Sequence, residues 1–258
     1  MESIIQHFRK DEQPFIEMVI GWTREVEDTY APKLTGFLDP RQIFILGSIV
    51  RSSGLQFGVH GAFTEPERQR ALIYPEYYEP SAEDFQVTVL SMKYPAKFMS
   101  LEHRDILGSL MALGIDRSKF GDIRLEEGIA QFAAAEEMKD YLKTNLTSIG
   151  KSKVRVEELS SSDALITMAE TWKEELHTIS SLRLDTLVAS LVNCPRQKAA
   201  SLIQNDKVKV NHVVRNQQAF EVNESDILSI RGSGRFKVIS IEGRTRKDKI
   251  RLLIGKLE

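Results

Sequence analysis

The stretch RQKAASLIQNDKVKVN, residues 196–211, opens on basic and amide residues, turns helical, and then alternates lysine with valine. At about 100° per residue, Ala199, Leu202 and Ile203 fall on one side of a helix. Gln197, Lys198, Ser201, Gln204 and Asn205 fall on the opposite arc, with Arg196 in the first turn. In the strand that follows, Val208 and Val210 point inward, so the period of two turns Lys207, Lys209 and Asn211 outward together. We therefore expect the helix arc and the strand to join into one face of bases and amides. Lys and Arg neutralise phosphates, while Asn and Gln reach sugar and base edges. Asp185 and Asp206 are the only acids near that face.

Upstream, SLRLDTLVASLV (181–192) spaces Leu184, Leu187, Val188 and Leu191 as one apolar helix stripe, with Arg183 at its start. The sequence NCP then breaks it, and Pro195 suits the first position of the next helix. Downstream, GRFKVISIEGRTRKDKIRLLI (234–254) reads as a hairpin. Its tip sets Arg244, Arg246, Lys247 and Lys249 against Asp248. Four bases beside a basic face extend a surface for a polyanion.

Charge distribution agrees with this. Residues 180–258 hold 15 Lys+Arg against 8 Asp+Glu, a net of +7, and residues 1–179 hold 20 against 29, a net of −9. An acidic body with a basic end points toward nucleic acid. The 258 residues, 41% hydrophobic and 28% charged, suit two or three small globular domains. No apolar run reaches the roughly 18 residues of a membrane span, and the N-terminus lacks a signal-peptide core. One cysteine, Cys194, excludes a disulfide framework and a multi-cysteine metal site, so a cytoplasmic protein is expected.

Residues 1–77 read as an N-terminal α/β domain. A long helical pattern (Ile4, Ile5, Phe8, Phe15, Val19, Trp22, Val26) is broken at TGFLDP, where Asp39 caps a second helix starting at Pro40. Short strands LQFGVHG and ALIYP flank a polar, helical EPERQR. Residues 82–159 follow the order β-α-β-β-α-β of a ferredoxin-like domain, which RNA-recognition modules also use. Its strand IAQFAAA offers only Phe132 for stacking on bases, so RNA contact there would fall to Arg104, Arg117 and Lys119. Residues 160–180 read as a polar linker, part of it helical, with a hinge.

Several motifs mislead. His103-Arg104-Asp105 looks like a kinase catalytic loop, but Leu110 stands where the magnesium-binding asparagine belongs. The five histidines are scattered without metal-ligand spacing. Gly232-Ser233-Gly234 opens no helix, so it is no dinucleotide fingerprint.

The residues LRLDTLVASLV, PRQKAASLIQNDKVKVN and SDILSIRG resemble the S4 RNA-binding domain. With QHFRKDE, FLDPRQ and EHRDILGSLMALGIDRSKFGDI, essentially the whole chain resembles the bacterial YlmH family. Three glycines usual in S4 domains are replaced here by Asp206, His212 and Ser225, and Pro195 replaces a serine. The resemblance implies a non-enzymatic protein that binds 23S rRNA of the large ribosomal subunit and tRNA, and acts on stalled peptidyl-tRNA in ribosome quality control.

The expected architecture is thus α+β, with three small domains: the N-terminal α/β unit, a central ferredoxin-like domain and an S4 domain with a basic hairpin at 181–258. Arg183, Arg196, Lys198, Lys207 and Lys209 would grip phosphates, and Gln197, Asn205 and Asn211 would refine the fit. We expect a monomer with no cofactor, metal, membrane contact or small-molecule substrate. The alternative is an rRNA-modifying enzyme, of pseudouridine synthase or methyltransferase type, that uses S4 for delivery. It would need chemistry around His103, Asp105 and Asp122. A scaffold that binds protein is a third reading, to which the sequence assigns no residue.

Overall fold

The computed structural model describes residues 8–96, 101–150, 152–160, 163–167 and 172–257. The chain forms two compact units, Met1–Met168 and Ala169–Glu258.

The first unit begins with α1 (Gln13–Thr29), β1 (Lys33–Leu38), α2 (Pro40–Ser52), β2 (Gln56–His60) and β3 (Gln69–Tyr74). The strands form an antiparallel sheet of order β1-β3-β2. Asp39 caps α2 as expected: its carboxylate accepts the Gln42 N–H at 2.8 Å, and the Gln42 carboxamide accepts the Asp39 N–H at 2.9 Å. Ile16, Val19 and Val26 of α1 pack on Ile45, Leu46, Ile49 and Val50 of α2 and on Ala71 and Ile73 of the sheet. Ile4 and Ile5 lie outside the described residues. Two expectations here are corrected. KLTGFL is a strand rather than a break, and the bulge between Leu34 and Phe37 hides its alternation. EPERQR is not helical: residues 64–68 are irregular, with Glu65 at positive φ, and Gln69 and Arg70 open β3.

Glu12 ties the start of α1 to α2. Its carboxylate accepts Arg41 Nε–H at 2.8 Å and Arg9 Nε–H at 3.1 Å, and the Glu12 side chain is only 11% exposed. Burial pushes this carboxyl up, but the hydrogen bonds from Arg41 and then Arg9 outweigh it and hold it at about 2. A depressed carboxylate adds stability above its unfolded value and loses it as pH falls through the folded one. Glu12 should therefore contribute about 2–3 kcal/mol at neutral pH, lost between about pH 4.5 and 2. Denaturant titrations of wild type and Glu12→Gln should differ by that amount at pH 7 and converge at pH 2. Parallel curves across this range would disprove it.

The central block contributes β4 (Val87–Lys93), α3 (His103–Ala112), β5 (Phe120–Glu126), β6 (Ile129–Ala135), α4 (Lys139–Asn145), β7 (Ser148–Ile149), β8 (Ser152–Lys153) and β9 (Arg155–Glu158). Its sheet has order β5-β6-β4-β9 with antiparallel neighbours, the ferredoxin-like arrangement; β7 and β8 form a separate small ribbon. One face of the sheet, with Leu90, Met92, Ile123, Phe132 and Val156, packs on Ile106 and Leu110 of α3 and Leu142 of α4.

The other face is covered too. Phe37 and Phe63 from the N-terminal block pack against Ala133, Ala135, Val87 and Val89. This explains Ala133 and Ala135 of β6: a Cβ on Gly121 would lie 2.7 Å from the Phe37 ring, and Ala133 is already in that contact. Small residues on β5 and β6 make room for the two aromatic rings. Asp122 closes the seam, accepting the backbone N–H groups of Glu67 at 2.8 Å and Arg68 at 2.9 Å. Burial pushes its carboxyl up, against the pull of those two hydrogen bonds. An RNA-recognition module stacks bases on this sheet face; here protein occupies it.

The second unit is built from β10 (Trp172–Ile179), α5 (Leu184–Leu191), α6 (Arg196–Gln204), β11 (Val208–Val210), β12 (Val213–Val214), β13 (Ile227–Ile230), β14 (Gly234–Arg244) and β15 (Ile250–Leu257). The sheet order is β10-β15-β14-β13-β11-β12. Leu184, Leu187 and Val188 of α5 and Ala199 and Ile203 of α6 cover Val208, Val210, Leu228, Ile230, Phe236 and Val238. The linker expectation is corrected here. Residues 172–179 pair with β15 along their whole length, and neither these nor residues 163–167 are helical. WKEELHTI carries three consecutive charges, Lys173, Glu174 and Glu175, and leaves Leu176 exposed, which an edge strand with an open face tolerates.

Candidate nucleic-acid interface

Asp185 organises the helix pair. It sits in the first turn of α5, 2% exposed, and its carboxylate accepts hydrogen bonds from two guanidiniums. Arg183 reaches it through Nε–H at 3.2 Å and its terminal nitrogen at 3.1 Å. Arg196, at the start of α6, reaches it at 3.0 and 2.9 Å. Burial raises this carboxyl, but the hydrogen bonds from Arg183 and Arg196 prevail and leave it below the ordinary range. The Arg183 guanidinium is stabilised in turn by that bond. Both side chains stay about half exposed, 42% and 56%. The result is two fixed cations side by side, each with donors left for a phosphate. The sequence showed Asp185 as an acid intruding on a basic face; the structure makes it the anchor of that face.

Gln197 and Lys198 follow Arg196 on the exposed side of α6. Asn205 ends the helix, exposed, with its amide donating to the Ser201 carbonyl at 2.7 Å. Lys207 stands on the turn into β11, and its carbonyl accepts the Arg231 N–H. Lys209 projects from β11 on the face opposite Val208 and Val210, in register with Ser229 and, beyond it, Arg235. The expected single face is therefore divided. Arg183, Arg196, Gln197 and Lys198 stand on the helix layer, and Lys209 on the reverse of the sheet that layer covers.

Asn211 departs furthest from expectation. Its amide donates to Asp226 at 2.8 Å while its oxygen accepts the Ile227 N–H at 2.9 Å, so both ends serve the fold. Its φ of +49° continues into His212 at +67°, a turn that rotates it out of the strand alternation. The hairpin forms as expected. At its tip Arg244 pairs with Asp248 at 2.8 Å, and Arg246, Lys247 and Lys249 are exposed.

Arg104, Arg117 and Lys119 do not form a second basic patch. Arg104 is exposed beside Glu102 at 3.1 Å. Arg117 donates to the Phe120 carbonyl at 2.7 Å, and burial, then Arg68 nearby, lowers its guanidinium to about 10. Lys119 pairs with Glu137 at 2.9 Å. The constellation required by the enzyme alternative is also dispersed. His103 and Asp105 start α3, with Asp105 accepting the Glu102 N–H, while Asp122 lies on the opposite face of the sheet. Among the described residues no cluster of His, Cys, Asp and Glu could hold a metal, and no helix is long and apolar enough to cross a membrane.

Asp206, His212 and Ser225, which replace the usual glycines, adopt φ of +55°, +67° and +65°. Serine gains least there, since a left-handed L-residue costs about 1–2 kcal/mol and glycine's flexibility about 0.5–1. Ser225→Gly should thus raise the stability of the second unit by about 0.5–1 kcal/mol, read from its denaturation midpoint. A fall would mean the hydroxyl matters more than the backbone.

The helix pair on its sheet, with cations fixed at both helix starts, defines an S4-type RNA-binding protein. The S4 domain profile matches residues 182–228, and a profile described as "Putative RNA-binding domain in YlmH" matches residues 80–163. The chain belongs to the YlmH family: over 252 residues it is 40% identical to the ribosome-associated protein quality control protein P2 of Bacillus subtilis (strain 168), covering 98% of each chain. A solved structure, the cell division protein ylmH from Streptococcus pneumoniae, is 35% identical with a TM-score of 0.53, covering 60% of this chain and 94% of that one.

Proposed function

We propose that this protein binds structured RNA, the 23S rRNA of the large subunit and tRNA, through its C-terminal unit. It acts on stalled peptidyl-tRNA–large-subunit complexes in ribosome quality control and makes or breaks no bond. The observation that carries the reading is the Asp185 clamp, which presents Arg183 and Arg196 half exposed and already oriented. Lys198 beside it and the hairpin tip extend the footprint, and a protein of the same family and length is named for ribosome-associated quality control. Backbone and shape recognition suits such a surface better than reading a short sequence. The working protein is a cytoplasmic monomer without cofactor.

Crosslinking bound RNA in cells tests this, with wild type compared against Arg196→Ala/Lys198→Ala. Large-subunit rRNA and tRNA should dominate and disappear in the double variant. Crosslinks spread over mRNA and indifferent to the two substitutions would reject it.

A further inference from the structure

The outer face of the central sheet holds a cleft of about 580 Å³ beyond the area covered by Phe37 and Phe63. This lies within the usual range for ligand sites. Ser91, Lys93, Ile129 and Gln131 of β4 and β6 line it from the sheet, and residues 163–167 line the other side. Gln131 is 3% exposed, and its carboxamide is spent wholly on that segment. Its Nε2–H donates to the Ala164 carbonyl at 3.0 Å, and its Oε1 accepts the Ile166 N–H at 2.8 Å. One buried side chain thus reads a carbonyl and the N–H two residues on, as an adjacent strand would. The segment itself is held lightly: it joins no sheet, and none of its residues is buried.

We propose that the sheet side of this cleft is a binding site for an extended polypeptide segment supplied by a partner, which takes the place that residues 163–167 now hold as the opposite wall. The preferred ligand is a small residue followed by two bulky apolar ones, the pattern of Ala164-Leu165-Ile166. The lining favours peptide over RNA. Ile129 and Leu159 offer apolar walls, Glu126 offsets Lys93, and none of the described lining residues has an aromatic ring to stack on a base. A tethered occupant competes at an effective concentration in the millimolar range, so the partner displaces it only when it binds better than this chain's own segment. The proposal is independent of RNA binding by the second unit.

The test uses the full chain and a fluorescent, end-capped peptide Asp-Ala-Leu-Ile-Thr. Ile166→Pro removes the N–H that Gln131 accepts and unseats the resident segment without altering the sheet. It should bind the peptide at least about tenfold more tightly than wild type. Adding Gln131→Leu should abolish that gain, as should N-methylation of the peptide's isoleucine, which needs no change in the protein. Equal affinity for wild type and Ile166→Pro would overturn the proposal. So would binding indifferent to both blocks, or capture of a single-stranded RNA oligomer in place of the peptide.

Discussion

Replacing Asp185 with alanine should weaken RNA binding about tenfold, although it removes a negative charge from the surface proposed to meet a polyanion. Two effects oppose each other. Loss of one charge raises the local positive potential, worth about 1 kcal/mol at about 4 Å in the high dielectric of the solvated surface and less once salt screens it. Loss of the clamp frees two arginines, each of which then gives up about 0.5–1.5 kcal/mol of side-chain freedom on binding. It also lets them adopt rotamers that do not reach the same phosphates. The second effect should win. The salt dependence separates this variant from a lost contact. Arg196→Ala should reduce the slope of log affinity against log salt by about 0.7–0.9, whereas Asp185→Ala should leave it at least as steep. Titrations of a large-subunit rRNA fragment at several salt concentrations read both quantities. Tighter binding by Asp185→Ala would mean that the acid is an intruder after all.

Asp122→Ala should cost the first unit about 3 kcal/mol while leaving RNA affinity unchanged. Truncation strands the N–H groups of Glu67 and Arg68, which both donate to this carboxylate, and removes the neighbour of Arg124, 3.5 Å away and 4% exposed. A buried donor left unpaired costs about 1–3 kcal/mol. Denaturation followed by Trp22 emission would report the loss, and the same RNA titration would report the unaffected unit. A stable variant that lost function would revive the catalytic reading of Asp122, which the dispersal of His103 and Asp105 now opposes.

What sequence alone determined was local. Ala199 and Ile203 under Arg196 and Lys198, Val208 and Val210 under Lys209, the Asp39 cap and the order of the central strands all follow from periods of 3.6 and two residues, or from caps. Such signals lie within a few residues and survive without knowledge of what packs above them. Tertiary structure decided the rest. Asp185 became an anchor because the start of α6 returns over the start of α5, bringing Arg196 to a carboxylate eleven residues earlier in the chain. Asn211 turned inward because Asp226 and Ile227 hold both ends of its amide. Lys209 parted from Lys198 because a helix layer and the far side of its sheet cannot share a face. Ala133, Ala135 and Asp122 acquired their meaning from Phe37, Phe63 and two backbone amides more than fifty residues away. Periodicity tells which side of an element is apolar; only the folded chain decides what meets it.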